Sequence, residues 1–302
     1  MKITFITKQL PVLLLIALFS AACGSKKTGS MSNVLPSQTL DGYRGYALSV
    51  TSAQKGSSDV PAKIEIIPGK MMEVDCNNHS LIGEFVQKQL SDGNYYNVYE
   101  SKGEAISTLM GCPDNTKRMD FVQGQTLFID ADNAASSMVF ASEGIEIRRR
   151  VWTPSSAYEM GKELNNIIET EATEALKAYP KSLEGYDRYV LILPEIKNSQ
   201  KERKVEIIPG VTTEVDCNKH GLGGRFVEKD VEGWGYSYLI FESDGSVRST
   251  RMACPDDTRR TEVVTGATQL LNYNSRLPIV VFIPKKDNFS VQYRIWEAGE
   301  VK

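Results

Sequence analysis

Glu214-Val215-Asp216-Cys217-Asn218-Lys219-His220 occurs twice in this chain. The earlier copy is Glu73-Val74-Asp75-Cys76-Asn77-Asn78-His79, and the two differ only at Lys219 and Asn78. Outward from this stretch the echo continues in both directions. Val205-Glu206-Ile207-Ile208-Pro209-Gly210 answers Ile64-Glu65-Ile66-Ile67-Pro68-Gly69, and Gly185-Tyr186-Asp187-Arg188-Tyr189 answers Gly42-Tyr43-Arg44-Gly45-Tyr46. Downstream, Ser249-Thr250-Arg251-Met252-Ala253-Cys254-Pro255-Asp256 answers Ser107-Thr108-Leu109-Met110-Gly111-Cys112-Pro113-Asp114, and Tyr293-Arg294-Ile295-Trp296 answers Arg149-Arg150-Val151-Trp152. Order is kept and spacing is nearly constant, so the chain is a tandem duplication.

Each copy reads as β structure. In the first, apolar and β-branched runs lie at Tyr43 to Val50, Ile64 to Gly69 (ending in a Pro-Gly turn), Tyr95 to Tyr99, Phe121-Val122, Thr126 to Ile129, Met138 to Phe140 and Ile145 to Trp152. That spacing is that of an antiparallel β-sandwich or barrel. Between the copies the period changes. Met160, Leu164, Ile167, Ile168, Ala172, Ala175 and Leu176 fall at helical spacing, with Ser156 and Glu159 as a capping box and Pro180 as the stop. The expected architecture is all-β, with two sandwich or barrel domains at 41–152 and 179–302 joined by a helical linker at 153–178.

The N-terminus carries a targeting pattern at 1–22. Lys2 and Lys8 precede an apolar run from Pro11 to Ala22, too short for a mature membrane span. Ser20-Ala21-Ala22-Cys23-Gly24 resembles a bacterial lipobox, in which the cysteine becomes the acylated first residue, and residues 23–40 then read as anchor and tether; Ser20 stands where that motif usually has Leu or Val, and ordinary cleavage near Ala22 is the alternative. Gly24 after the cysteine points to the outer membrane. Cysteine arithmetic agrees. Of the five cysteines, lipidation of Cys23 leaves Cys76, Cys112, Cys217 and Cys254, two per copy. The duplication makes Cys76–Cys112 and Cys217–Cys254 the economical disulfides, as suits an oxidising compartment such as the periplasm. Each closed loop would contribute on the order of 3–4 kcal/mol.

Composition excludes several function classes. Net charge is −3, which leaves no basic footprint for nucleic acid. Histidine occurs only at positions 79 and 220, and there is no Cys-x-x-Cys, phosphate-binding glycine loop or Gly-x-Ser-x-Gly. No enzyme, cofactor or metal site is expected. What stands out is the segment Ser249 to Pro255. It follows a strand-like run, Tyr236 to Phe241, and a turn at Asp244-Gly245, and has no apolar alternation of its own. It reads as an extended loop tethered by Cys254 and stiffened by Pro255. By spacing alone, Arg251 is a solvated arginine.

The residues of the second copy go further. Ala178-Tyr179-Pro180, Glu214 to Asn218, Leu222-Gly223-Gly224, Glu232-Gly233-Trp234-Gly235-Tyr236, Ser249-Thr250, Met252 to Asp256, Tyr273-Asn274-Ser275, Leu277-Pro278-Ile279-Val280-Val281, Tyr293-Arg294 and Trp296 resemble the ecotin family. Its members are periplasmic inhibitors of chymotrypsin-like serine proteases. The first copy is similar but worn: it has Asp92-Gly93-Asn94-Tyr95 in place of the Trp-Gly-Tyr motif, and Ala135 to Val139 in place of Leu-Pro-Ile-Val-Val. The resemblance implies bait loops that enter a protease cleft as an added strand. The second would comprise Ser249, Thr250, Arg251, Met252 and Ala253, and the first Ser107, Thr108, Leu109, Met110 and Gly111. The P1 residues, whose side chains fill the S1 pocket, would be Arg251 and Leu109, followed by Met252 and Met110 at P1′. Arg251 would suit a trypsin-like protease and Leu109 a chymotrypsin-like or elastase-like one. Asn218, Lys219 and His220 would support the loop. A second protease contact would comprise Trp234, Gly235, Tyr236, Asn274, Arg276 and Leu277, with Asn272 where the family usually has a basic residue. Family members pair by exchanging C-terminal strands. With two copies in one chain, and six residues after Trp296, an internal pseudo-dimer is expected instead of a homodimer. The competing expectation is a non-inhibitory envelope or adhesion lipoprotein that reuses the fold.

Overall fold

A computed structural model of the chain describes residues 39–48, 60–134, 138–155, 174–196 and 201–302. The targeting segment, the tether, Cys23 and most of the expected linker helix (156–173) lie outside the described residues. Of the expected linker, Thr153 and Pro154 belong to the last strand of the first copy, because they pair with the second copy, and Glu174–Ala178 forms a short 3-10 turn.

Among the described residues each copy contributes ten strands, in matching order. The first has β1 (Tyr43–Ala47), β2 (Lys63–Val74), β3 (His79–Leu81), β4 (Glu84–Gln89), β5 (Tyr95–Glu100), β6 (Ala105–Ser107), β7 (Arg118–Gln123), β8 (Leu127–Asp130), β9 (Met138–Ser142) and β10 (Glu146–Pro154). The second has β11 (Tyr186–Leu191), β12 (Arg203–Val215), β13 (His220–Leu222), β14 (Arg225–Val231), β15 (Tyr236–Glu242), β16 (Val247–Ser249), β17 (Arg260–Thr265), β18 (Gln269–Asn272), β19 (Ile279–Pro284) and β20 (Phe289–Ala298). The all-β expectation holds. Each copy forms its own four-stranded sheet, β1-β9-β5-β4 or β11-β19-β15-β14. The pairing is antiparallel except for one parallel pair in each of these sheets, β5 with β9 and β15 with β19.

The Pro-Gly dipeptides do not end the strands in which they lie. β2 runs through Pro68-Gly69 and β12 through Pro209-Gly210. On one edge of β2 the partner changes there, from β8 (opposite 63–66) to β7 (opposite 69–74). Pro68, which has no N–H, falls in the gap between the two partners, where the ladder asks for no donor. A side chain at Gly69 would strike the Phe121 ring, 2.3 Å from an added Cβ, so glycine is required for the close approach. β12 changes from β18 to β17 in the same way.

Between the two sheet layers of the second copy lies a core of Leu191, Val205, Ile207, Phe241, Val281, Ile283 and Ile295. Its counterpart in the first copy contains Ile64, Ile66, Tyr99, Val139, Ala141 and Ile147. The second copy has an additional cluster on the outer side of its four-stranded sheet, where Tyr179 packs with Val190, Val231, Ile240, Val280 and Phe282. This explains why Ile279–Pro284 is apolar without alternation: both of its faces are covered.

The copies meet through one continuous eight-stranded sheet, in which β10 pairs antiparallel with β20. The register is Trp152 with Ala298, Thr153 with Glu297 and Pro154 with Trp296. Exchanging the matched residues Trp152 and Trp296 exchanges the first and last of these pairs, so the junction is self-complementary, as at a two-fold axis. The pairing continues outward on both sides. Ser155 N–H donates to Ile295 O (2.8 Å), Gly299 N–H to Val151 O (2.7 Å), and Arg149 and Lys302 exchange backbone bonds at 2.9 and 2.8 Å.

Two buried carboxylates flank the junction. Glu206, 2% exposed, accepts from Trp296 Nε1 (3.0 Å), Thr268 Oγ1 (2.8 Å) and Arg294 Nη1 (3.2 Å). It also pairs with Lys63 of the other copy at 3.2 Å. Glu65 accepts from Trp152 Nε1 (2.9 Å) and from Arg150, whose guanidinium also reaches Glu202 of the other copy. Lys63 lies over the Trp296 ring and Lys204 over the Trp152 ring, a reciprocal exchange of cations. Burying these charges is tolerable because each is paired and hydrogen-bonded.

Candidate functional site: two braced loops and an aromatic patch

The expected disulfides form, Cys76–Cys112 and Cys217–Cys254, each with a Cα–Cα distance of 5.7 Å. Each ties the segment after the long strand (β2 or β12) to the loop that follows the short one (β6 or β16). The short pairs β3–β6 and β13–β16 set the loop's entry, with His79 opposite Ser107 and His220 opposite Ser249.

A buried asparagine then braces each loop. In the second copy, Asn218 Oδ1 accepts from Thr250 Oγ1 (2.9 Å) and from Met252 N–H (2.7 Å), and Asn218 Nδ2 donates to Met252 O (3.3 Å). Thr250 and Lys219 add backbone pairing: Thr250 N–H donates to Lys219 O (3.0 Å), and Lys219 N–H donates to Thr250 Oγ1 (3.1 Å). Asn77 treats Thr108 and Met110 in the same way, at 3.0 and 2.8 Å. Both asparagines are 8% exposed. The residues on either side of Arg251 and Leu109 are therefore held, while the side chains between them are free: Leu109 is 97% exposed and Arg251 is also exposed. Ser249, Ala253, Ser107 and Gly111 complete the two exposed stretches.

Behind each asparagine stands an aspartate. Asp75 accepts from Asn77 N–H (2.8 Å), from Asn77 Nδ2 (3.1 Å) and from His79 Nε2 (2.9 Å). The backbone N–H of Asn77, then His79, then the Asn77 amide hold its carboxyl down at about 2. Asp216 is also lowered, chiefly by the Asn218 backbone N–H and side chain. Its histidine is turned differently: His220 Nδ1 lies 2.9 Å from Asn218 O, and Nε2 is 3.4 Å from Asp216. Each histidine thus engages the aspartate four residues before it, and among the described residues no group of His, Cys, Asp and Glu is arranged for a metal ion.

The patch residues of the second copy also come together. Gly235, Tyr236, Asn274 and Leu277 line one depression, and Asn274 and Arg276 border a second beside it, together with Asn272. Asn274 Oδ1 accepts from Arg276 N–H (2.9 Å), which shapes that turn. Trp234, 58% exposed, sits between Gly233 and Gly235, both in the left-handed region at φ 77° and 67°. Its ring stacks on Tyr236 at 6.1 Å, and Tyr236 stacks in turn on buried Tyr179 at 6.0 Å and 10°. Tyr179 OH donates to Pro278 O (3.3 Å), so a single residue supports both halves of the patch. In the first copy the corresponding turn carries no tryptophan. Asp92 there accepts from Asn94 N–H (3.0 Å) and Tyr96 OH (2.7 Å).

Sequence reasoning placed Asn218 in a support loop but omitted its partner Asn77, the aspartates Asp75 and Asp216, and Tyr179. The signal for the first three was the Asp-Cys-Asn run present in both copies. Tyr179 stood in the Ala178-Tyr179-Pro180 run, but its supporting role depends on a stack between distant segments.

Comparison with known proteins agrees with this geometry. The family model for Ecotin matches residues 39–154 and again 175–298. Ecotin from Yersinia enterocolitica is 43% identical over 130 residues, 42% of this chain and 76% of that protein. Ecotin from Serratia proteamaculans is 42% identical over 136 residues, covering 44% and 78%. Ecotin from Pseudomonas fluorescens is 45% identical over 124 residues, covering 40% and 77%. With both copies matched, and each carrying the same braced loop, the chain belongs to the ecotin family of serine protease inhibitors.

Proposed function

We propose that the chain is a two-loop, substrate-like inhibitor of chymotrypsin-fold serine proteases. Arg251-Met252 would receive a trypsin-like enzyme and Leu109-Met110 a chymotrypsin-like or elastase-like one. The observation that carries this is the brace, which holds the residues before and after P1 and leaves P1 exposed. A loop already held in extended form loses little conformational entropy on docking. If the bond after P1 is cut, the disulfide and the asparagine keep both new ends in place, so religation competes with release. Arg251 offers a planar cation to an S1 pocket with a carboxylate at its base. Leu109 offers an apolar side chain.

Topology supports a second contact. Tyr236 opens β15, and the bait loop begins beyond its other end, so patch and loop of one copy are separated by a strand of about 20 Å. The self-complementary β10–β20 junction supports an internal pseudo-dimer, in which the patch of one copy serves the loop of the other. Export to the periplasm, with lipidated Cys23 anchoring the chain to the outer membrane, completes the reading. The two disulfides support the oxidising compartment.

The test is inhibition of trypsin and of chymotrypsin by the purified chain, singly and together, with light scattering to count chains per particle. Both enzymes should be inhibited by one chain, and a three-protein complex should form. If neither enzyme is inhibited, the inhibitor reading fails. A Cys23→Ala chain should leave the membrane fraction; if the native chain is already soluble, the anchor is wrong.

A further inference from the structure

The two bait loops differ at more than P1, and they differ in one direction. Three residues before Arg251 is Arg248, in β16; three before Leu109 is Ile106, in β6. Strand alternation fixes where these side chains point. Val247 packs on the core of its copy and Ala105 on the core of the other, so Arg248 and Ile106 lie on the outer face. Arg248 is exposed and Ile106 is 61% exposed. The cross-strand partner of Arg248 is Gly221, where an added Cβ would meet nothing within 4 Å, so the position across from it is open. Lys219, beside Thr250, is a third exposed cation, where the first copy has Asn78. Among the described residues, the side chains of Lys219, Arg248 and Arg251 have no carboxylate partner. The matched positions of the first loop, Asn78, Ile106 and Leu109, carry no charge.

An extended segment three residues long spans about 10 Å, well inside the footprint of a protease on its inhibitor. A side chain at that distance, on the exposed face, meets the enzyme. An isoleucine kept in water on one strand, and an arginine kept unpaired on its counterpart, are matched to partners of opposite character. We propose that the residue three before P1 is a second specificity determinant in each loop. Arg248 directs the second loop to a trypsin-specificity protease that has carboxylates where this side chain lands. Ile106 directs the first loop to a protease with an apolar subsite there. The three unpaired cations also steer the second loop towards an acidic cleft rim, which the first loop does not do. This rests on the bait-loop reading above and adds a named subsite to it.

The probes are trypsin and a second trypsin-specificity protease, chosen from a peptide library because it prefers a basic residue three before the cleaved arginine. Arg248→Ala should weaken inhibition of the selected protease by roughly 10-fold or more, against less than about 3-fold for trypsin. It should also flatten the fall of the association rate with added salt. Ile106→Arg should weaken inhibition of an elastase-like enzyme while leaving trypsin unchanged. Both residues are exposed strand positions, so neither change disturbs folding. An unchanged constant and salt slope for the selected protease with Arg248→Ala overturns the inference, and so does an equal loss against both enzymes. Failure of the bait reading looks different: trypsin inhibition then survives Arg251→Ala.

Discussion

Asn77 holds Thr108 and Met110 at 3.0 and 2.8 Å; Asn218 holds Thr250 and Met252 at 2.9 and 2.7 Å. Between those fixed points the first loop shows leucine and the second arginine. The patches diverge further: Trp234, Tyr236 and Tyr179 form a stack in the second copy, while the first has an aspartate-capped turn. The comparison separates two kinds of residue. Those that shape the loop centre on a buried asparagine, are hydrogen-bonded and are alike in both copies. Among those that would touch a protease, P1 and the patch have drifted, while Met110 and Met252 at P1′ are the same. In the proposed reading, backbone geometry and target choice are carried by different side chains, and each should be removable without the other.

The sharpest break in the comparison is Arg251→Ala. It should weaken trypsin inhibition by several kcal/mol, about 1,000-fold or more, as for an anchor in a desolvated pocket, and leave chymotrypsin inhibition intact. Inhibition constants for the two enzymes on one preparation decide it. Next is Asn218→Ala, which removes the brace and leaves its partners unsatisfied, at about 1–3 kcal/mol. Here the second loop should turn from inhibitor towards substrate. Mass spectrometry should find cleavage between Arg251 and Met252 after incubation with trypsin, while the first loop stays uncut. Asn77→Ala should do the reverse with chymotrypsin.

Trp234→Ala should have a smaller effect, roughly 10-fold, and its location carries the information. In the crossed arrangement it weakens the enzyme held at Leu109 and spares the one at Arg251. The opposite result would mean that each patch serves its own loop. Smallest is the difference between the two aspartates. Asp75 has a histidine at 2.9 Å and a carboxyl at about 2, below its ordinary 3.8, so its bonds support the loop fully above about pH 4 and are lost as pH falls through 2. Asp216 has its histidine at 3.4 Å. In a carbon-detected NMR titration Asp75 should titrate below Asp216; the reverse order would remove the histidine's part in the difference.

Much of this was legible in the chain because duplication repeats the signal. Two Asp-Cys-Asn runs and two Ser-Thr-x-Met runs located the loops and paired the cysteines before any geometry was known. Strand endings were less legible. Pro68-Gly69 has the chemistry of a turn, and only the exchange of β8 for β7 along one edge shows why it sits inside a strand. β4, with its weak alternation in Glu84–Gln89, gave no strand signal at all. The Glu65 and Glu206 networks were also hidden, since a glutamate in a strand looks solvated until the partners from the other copy are in place.

The junction between β10 and β20 has three register pairs and a few flanking backbone bonds, with the Lys63–Glu206 and Arg150–Glu202 pairs beside them. Between separate chains, such a contact would depend on the concentration of the protein. Here the two halves are one molecule, and each faces the other at an effective concentration in about the millimolar range, whatever the amount of protein present. Pairing of the halves is then independent of expression level and of dilution. The halves are also no longer obliged to be identical, since each always meets the same partner. An unlinked symmetric pair that acquired Arg251 in one gene copy would form mixed populations of three kinds. This chain always presents one arginine loop and one leucine loop, in equal numbers.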